Sequence, residues 1–346
     1  MSTETASPVL QTFPLGAQWP TIDPFLFVAH HHDDYPAGEA DLGPAPSELT
    51  GRQIGHDFSG RDGWSMYHGS RVPGFPQHPH RGFETITHVR HGLIDHADSM
   101  GATARFGHGD TQWMTAGGGV QHCEMFPLVN TDADNPLELF QIWLNLPAAD
   151  KLVDPYFTML WNERTPRVRH VDENGVLTEV TVIAGALGDV EPPTPPPDSW
   201  ASGPDADVAV WHIRIEAGGR WTMPQTRGND TMRVLYAFEG STVQVGDAAP
   251  LVAGNGALVD AARDLELVAG VDGAIEVMLL QGRPIGEPVE QHGPFVMNTR
   301  AELVQAFEDY RRSQFGGWPW DTPDPAHGST AARFAIHADG HREEPS

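Results

Sequence analysis

The chain has 346 residues, which at ~150 residues per domain predicts about two domains. Apolar residues make up 39% and charged residues 20%, a globular balance, and no apolar run approaches the ~18 residues that a membrane-spanning helix needs. The 47 acidic residues against 21 basic ones give a formal charge of −26, which disfavours direct binding to nucleic acid or to an anionic membrane.

A single cysteine, Cys123, excludes an internal disulfide and a two-cysteine zinc motif, and it fits a reducing compartment. The opening MSTETASPVLQ has neither a basic region nor an apolar core, so no secretory signal is expected and the chain reads as cytoplasmic. With 37 Gly and 30 Pro the chain turns often, which points away from helical bundles and toward many short strands.

In chain order, residues 1–22 are small and polar and predict a loose arm. Asp23 to Val28 (DPFLFV) reads as the first strand. His30, His31 and His32 follow. Three adjacent histidines cannot share one face of a strand, so they are assigned to a loop that could border a pocket mouth. Glu84 to His91 alternates, with Ile86 and His88 on one side and Thr85, Thr87 and Val89 on the other. Turn-forming clusters lie at 98–101 and 107–110, and Leu137 to Leu146 is a strand ended by Pro147. Residues 23–150 therefore predict one barrel or sandwich.

Residues 151–320 predict a second β-rich unit. Its stretch 191–206 holds six prolines, which exclude helix and central strand and leave an extended loop. Strands are expected at Ala209–Ile215, Met232–Phe238, Ser241–Val245 and Leu265–Leu280, the last with a hairpin signal at Asp272-Gly273. One helix is expected over 300–314. Leu303, Ala306, Phe307 and Tyr310 share one face, Thr299 and Glu302 form a capping box, and Gly316, Gly317 and Pro319 stop it. Residues 321–346 read as a flexible tail.

The chemistry concentrates between Gly74 and Pro127. His78-Pro79-His80 is followed, 42 residues after His80, by His122-Cys123-Glu124. Residues two apart on a strand point the same way, so His78 pairs with His80, and His122 with Glu124. Brought together across a small barrel, these four donors suit a first-row divalent metal and leave a coordination position open. Glu84 competes with Glu124: it stands four residues after His80, and periodicity alone does not decide between them. A lone HxH is usually a pair of solvated or core histidines, but two same-parity pairs in Gly-rich strands favour a metal. His88 has inward parity and reads as a buried core residue. His91, His96 and His108 lie near turns and read as solvated. Cys123, of opposite parity, reads as a small buried hydrophobe.

The runs HPHRGFET (78–85) and GDTQWMTAGGGVQHCEM (109–125) resemble the pirin family of the cupin superfamily. GEP (286–288), GPFVMNT (293–299), AFEDY (306–310) and FGGWP (315–319) extend the resemblance over most of the chain. It implies an all-β bicupin: two antiparallel jelly-roll barrels face to face with a short C-terminal helix. It further implies Fe(II) in the N-terminal barrel alone, held by His78, His80, His122 and Glu124, and so favours Glu124 over Glu84. Mn, Co, Ni, Cu or Zn would also suit these donors. The corresponding C-terminal stretch, RWTMPQTR (220–227), contains no HxH. Cys123 stands where the family often has Ser. The triple-His segment, the Pro-rich insertion and the tail look like local additions.

The family is similar to quercetin 2,3-dioxygenases. That likeness implies a small aromatic, flavonol-like substrate whose hydroxyl is deprotonated at the metal, attacked by dioxygen and cleaved with release of carbon monoxide. Glu124 would be the catalytic residue that accepts the substrate proton. Phe83, Trp113 and Met114 are either pocket wall or barrel core. The alternative implied by the resemblance is a non-enzymatic, redox-sensitive regulator acting through a protein partner, either a transcription cofactor or a modulator of a metabolic enzyme. No basic run marks a nuclear signal, and at −26 any DNA contact would belong to the partner. A cupin isomerase or sugar-binding protein is disfavoured by the family-specific runs. The sequence does not identify a protein partner.

Overall fold

The structure, a computed structural model, describes residues 7–228 and 230–346. Among these it has 24 strands and one α-helix, and the strand pairings are antiparallel throughout its sheets. None of its helices is long and apolar enough to cross a membrane. The chain divides into two compact units, one taking the residues up to Val28 with Arg164–Gly286, the other taking Ala29–Glu163 with Glu287–Ser346.

The first unit has a seven-stranded sheet and a four-stranded sheet. The larger runs Val9–Pro14, Asn255–Val259, Met232–Gly240, Ile275–Gly282, Ala209–Ile215, Leu177–Ala184, Arg167–Val171. The smaller runs Arg220–Met223, Leu265–Ala269, Thr242–Val245, Leu251–Val252. Alternate residues of both sheets, among them Trp211, Leu235, Val277, Trp221, Met223 and Leu267, form one apolar core. Trp221 and Met223, from the stretch 220–227 that has no HxH, are buried in this core.

The second unit, which carries the histidine motifs, also has two main sheets. Its five-stranded sheet runs Tyr156–Leu160, Thr111–Thr115, Phe83–His91, Asn135–Asn145, Phe25–Tyr35. Its six-stranded sheet runs Arg342–Glu343, Phe334–Ile336, Thr103–Gly107, Leu93–Asp98, Val120–Met125, Gly74–His80. The helix Arg300–Ser313 has the expected capping box between Thr299 and Glu302. Its buried Leu303 and Ala306 pack with Phe295 and Met297, so it belongs to this unit and not to the second barrel of the sequence.

Several expectations are corrected. Much of the predicted loose arm is the strand Val9–Pro14, an edge strand laid along Asn255–Val259; residues 1–6 lie outside the described residues. Gly256 makes the approach feasible: a Cβ there would meet the Phe13 ring at 2.3 Å. Four of its six residues, Gln11 and Thr12 among them, are exposed, which is why the segment reads as polar coil. His30–His32 lie within the strand Phe25–Tyr35 and not in a loop. Each finds its own environment: His30 Nε2 is 2.8 Å from Glu138 Oε1, His31 Nδ1 is 2.9 Å from the Tyr67 hydroxyl, and His32 is exposed.

The Asp272-Gly273 signal does not close a hairpin, because Leu265–Ala269 and Ile275–Gly282 join different sheets. The presumed flexible tail is docked. Phe334–Ile336 pairs with Thr103–Arg105, the Trp320 indole donates to the Asp98 carbonyl at 2.9 Å, and the His327 amide donates to Asp95 at 2.8 Å. Arg105, fully buried against Asp95 at 2.6 Å, also donates to the Thr330 carbonyl.

Candidate metal centre

The strands Gly74–His80 and Val120–Met125 are direct neighbours, and His78 stands opposite His122 in register. The ligand motifs thus meet on adjacent strands of one sheet, not across the barrel. A β-bulge between Phe75 and His78 resets the facing of the first strand. At its start Gly74 has φ 128°, and a Cβ there would lie 2.4 Å from the Glu124 carbonyl oxygen, so glycine is what permits this close pairing.

Among the described residues, His78, His80 and His122 form a group whose ligand atoms all lie within 4.8 Å of one another. Their rings are 4.4 to 4.9 Å apart between centroids. His80 and His122 are buried, while His78 is partly exposed. Glu124 is not part of the group of three, but it approaches from the same face, with Oε2 at 4.0 Å from His122 Nε2. The Gln141 amide donates to Glu124 Oε2 at 2.8 Å, and the Thr87 hydroxyl donates to Oε1 at 3.0 Å. Glu84 is held elsewhere, its carboxylate accepting from Thr115 at 2.7 Å.

Burial sets the electrostatics. It holds the His78 imidazole down at about 4 and drives His80 and His122 well below their ordinary value, with neighbouring histidine charge adding to the effect. Burial raises the Glu124 carboxyl, and the Thr87 hydroxyl, the His96 imidazole and the Gln141 amide offset part of that rise.

These imidazoles are therefore neutral, as a metal ligand must be. His78 Nδ1 is 2.8 Å from the Pro76 carbonyl, which assigns the proton to Nδ1 and leaves the Nε2 lone pair available. Both ring nitrogens of His122 and Nδ1 of His80 are buried with no hydrogen-bond partner. Each such orphan costs about 1–3 kcal/mol, and a divalent metal would satisfy the lone pairs. The residues present fit a metal.

Some site neighbours escape the sequence reading. His96, assigned to solvent, is fully buried opposite Glu124 in register, with its ring 5.5 Å from that of His122 and its Nε2 3.3 Å from Asp98. The alternation of LIDHAD, which sets His96 on the parity of Ile94, was the signal for it. Gln141 gives no sequence signal. His88 is a buried, hydrogen-bonded residue as expected, 2.8 Å from Thr111 Oγ1, but on the reverse parity: Thr87 meets Glu124, so His88 faces away. Phe83 and Trp143 wall the cluster, each ring within 5.5 Å of His80, whereas Met114 is core. Cys123 is buried among Leu42, Val72, Ala97 and Met125.

Two double-sheet units, one with a buried triple-histidine cluster in its barrel, define a bicupin with a candidate metal centre. The family model described as Pirin matches residues 7–144, and that of the pirin C-terminal cupin domain matches residues 210–316. A Pseudomonas aeruginosa protein named "Putative quercetin 2,3-dioxygenase" is 35% identical over 311 residues, 89% of this chain and 92% of that protein. Human pirin is 34% identical over 258 residues, 72% of this chain and 80% of that protein. The chain belongs to the pirin family. A crystal structure of quercetin 2,3-dioxygenase from Acinetobacter baumannii shares the fold, with a TM-score of 0.69 at 24% identity, covering 89% of this chain and 98% of that one.

Proposed function

We propose that this chain is a metal-dependent dioxygenase that cleaves quercetin or a related flavonol-like phenol, with Fe(II) as its metal. His78, His80, His122 and Glu124 would hold the metal. The observation that carries this reading is the buried His122 ring, with two unpartnered nitrogens, beside two further neutral imidazoles and a carboxylate. The names of similar proteins at about a third identity support the same reading.

A bound divalent metal supplies Lewis acidity, which favours the phenolate form of a coordinating hydroxyl. The chain's own residues contribute the rest. Glu124, the carboxylate beside the three imidazoles, would accept the phenolic proton as its own hold on the metal loosens. Thr87 and Gln141 hold its carboxylate in place. Phe83 and Trp143 pack edge-on against the His80 ring at 5.1 and 5.5 Å and keep water from that side of the cluster.

Elemental analysis of anaerobically purified protein, followed by oxygen consumption with quercetin, tests this. About one iron per chain with turnover is the expected result. No turnover above that of free Fe(II) overturns the substrate, and a bound metal without turnover moves the weight to a partner-binding regulator.

A further inference from the structure

The segment leading into the first metal strand displays an aromatic side chain while its backbone is held firmly from beneath. Phe58 is 52% exposed, in a chain whose large apolar side chains are mostly buried. Its loop is not loose. The buried Arg52 guanidinium lies 3.3 Å over the Trp64 ring and donates to Asp57 at 3.0 Å, to the Trp64 carbonyl at 2.9 Å and to the Arg61 carbonyl at 2.7 Å. Asp57 and Tyr67 exchange backbone hydrogen bonds of 2.8 and 2.7 Å. Tyr67 itself sits at φ 55°, a left-handed conformation that a bulky residue adopts only when its surroundings impose it. Its hydroxyl donates to Asp33 at 2.7 Å and lies 2.9 Å from His31 Nδ1, so the triple-histidine strand supplies part of that anchorage.

On this base the rings form a continuous path. Phe58 packs at 5.0 Å on His68, 5.4 Å on Tyr67 and 6.5 Å on Phe75, and Phe75 lies 6.4 Å from the His78 ring. His78 is the partly exposed member of the cluster, so the path ends where the cluster meets solvent. Two ring-to-ring steps, 6.4 Å from His78 to Phe75 and 6.5 Å from Phe75 to Phe58, separate the cluster from Phe58, so an occupant that touches both needs more than one aryl ring.

We propose that Phe58, supported by His68 and Phe75, is a specificity-determining platform that receives the outer aryl ring of a multi-ring phenol bound at the His78–His80–His122 cluster. This rests on the flavonol reading above and deepens it. The preorganised loop is what makes the platform effective, because little ordering has to accompany binding.

Binding of quercetin and of catechol to metal-loaded protein, followed without dioxygen by tryptophan fluorescence, separates the possibilities. In Phe58→Ala the quercetin Kd is expected to rise about tenfold, catechol binding and metal content to stay at parent levels, and Phe58→Trp to restore quercetin binding. Equal quercetin binding by Phe58→Ala and parent overturns the platform and leaves the proposed function standing. Equal weakening of both ligands also overturns it. Should the alanine variant lose metal, Phe58→Leu decides: parent-strength quercetin binding without the ring overturns the platform. A parent protein that neither binds nor turns over quercetin overturns the function and the platform together.

Discussion

The Thr87 hydroxyl donates to Glu124 Oε1 across 3.0 Å, joining the five-stranded sheet to the six-stranded sheet inside one unit. This hydrogen bond lowers a carboxyl that burial raises. Thr87→Val keeps the shape and removes the donor, so the Glu124 carboxyl should rise further. The acid limb of the kcat/KM profile should move to higher pH and kcat/KM should fall about tenfold, with metal content unchanged. An unshifted acid limb would show that Glu124 does not govern it.

Glu84 and Glu124 are both buried, but they differ in what they face. Glu124→Gln should lower metal retention about 10–100-fold and abolish most turnover. Glu84→Gln should leave metal content at the parent level, because its carboxylate is engaged with Thr115. Elemental analysis of the two variants checks this, and the reverse pattern assigns the metal to the other carboxylate.

Bound metal stabilises only the folded state. A site filled at 100 times its Kd adds about 2.7 kcal/mol, enough to raise Tm by a few degrees. A chelator should therefore lower the Tm of the parent and leave that of His80→Ala unchanged. Equal chelator shifts in the two proteins would refute the role of His80.

Acid should destabilise the metal-free protein. Burial takes His78 and His31 from 6.5 in the unfolded chain to about 4 in the folded one. Between those values the unfolded state binds more protons, so their contribution is intact above 6.5 and is lost as pH falls toward 4. His80 and His122 act in the same direction. Asp33 acts oppositely: burial raises it from 3.8 to about 6, so the cost of its charge is present above 6 and is relieved as pH falls toward 3.8. The raised carboxyls of Glu124 and Asp110 act with Asp33, and His108 acts with the other histidines, so five lowered imidazoles against three raised carboxyls predict a net loss. Urea unfolding of chelated protein across this range checks the sign, and rising stability on acidification contradicts it.

Deleting residues 320–346 should cost about 3 kcal/mol of stability. It removes the strand on Thr103–Arg105, the Trp320 and His327 hydrogen bonds, and the Arg333 ion pair with buried Asp110 at 2.7 Å. Thermal melting of the truncated chain tests it, and an unchanged Tm would show a tail without structural weight.

How much of this was legible in sequence follows from the range of the signals involved. Two-residue periodicity is local, so it pairs His78 with His80 and His122 with Glu124, and the capping box and apolar stripe announce the helix Arg300–Ser313. The same periodicity has no absolute phase. It does not say which face of Phe83–His91 is inside, so it misdirects His88 and does not separate Glu84 from Glu124.

Local composition likewise under-read the edges. Val9–Pro14 and Phe334–Ile336 look like coil because their strand character comes from the neighbours Asn255–Val259 and Thr103–Gly107. By itself the sequence determined the chemistry available to this protein: an all-β chain, a donor set of imidazole and carboxylate, and a family. Only the tertiary structure decided that His96 and Gln141 stand around that donor set, that Glu124 and not Glu84 faces the histidines, and that an anchored loop holds Phe58 open to solvent beside them. Those outcomes depend on which distant strands pair and in which register, and pairing energy is shared between segments that carry no mark of one another.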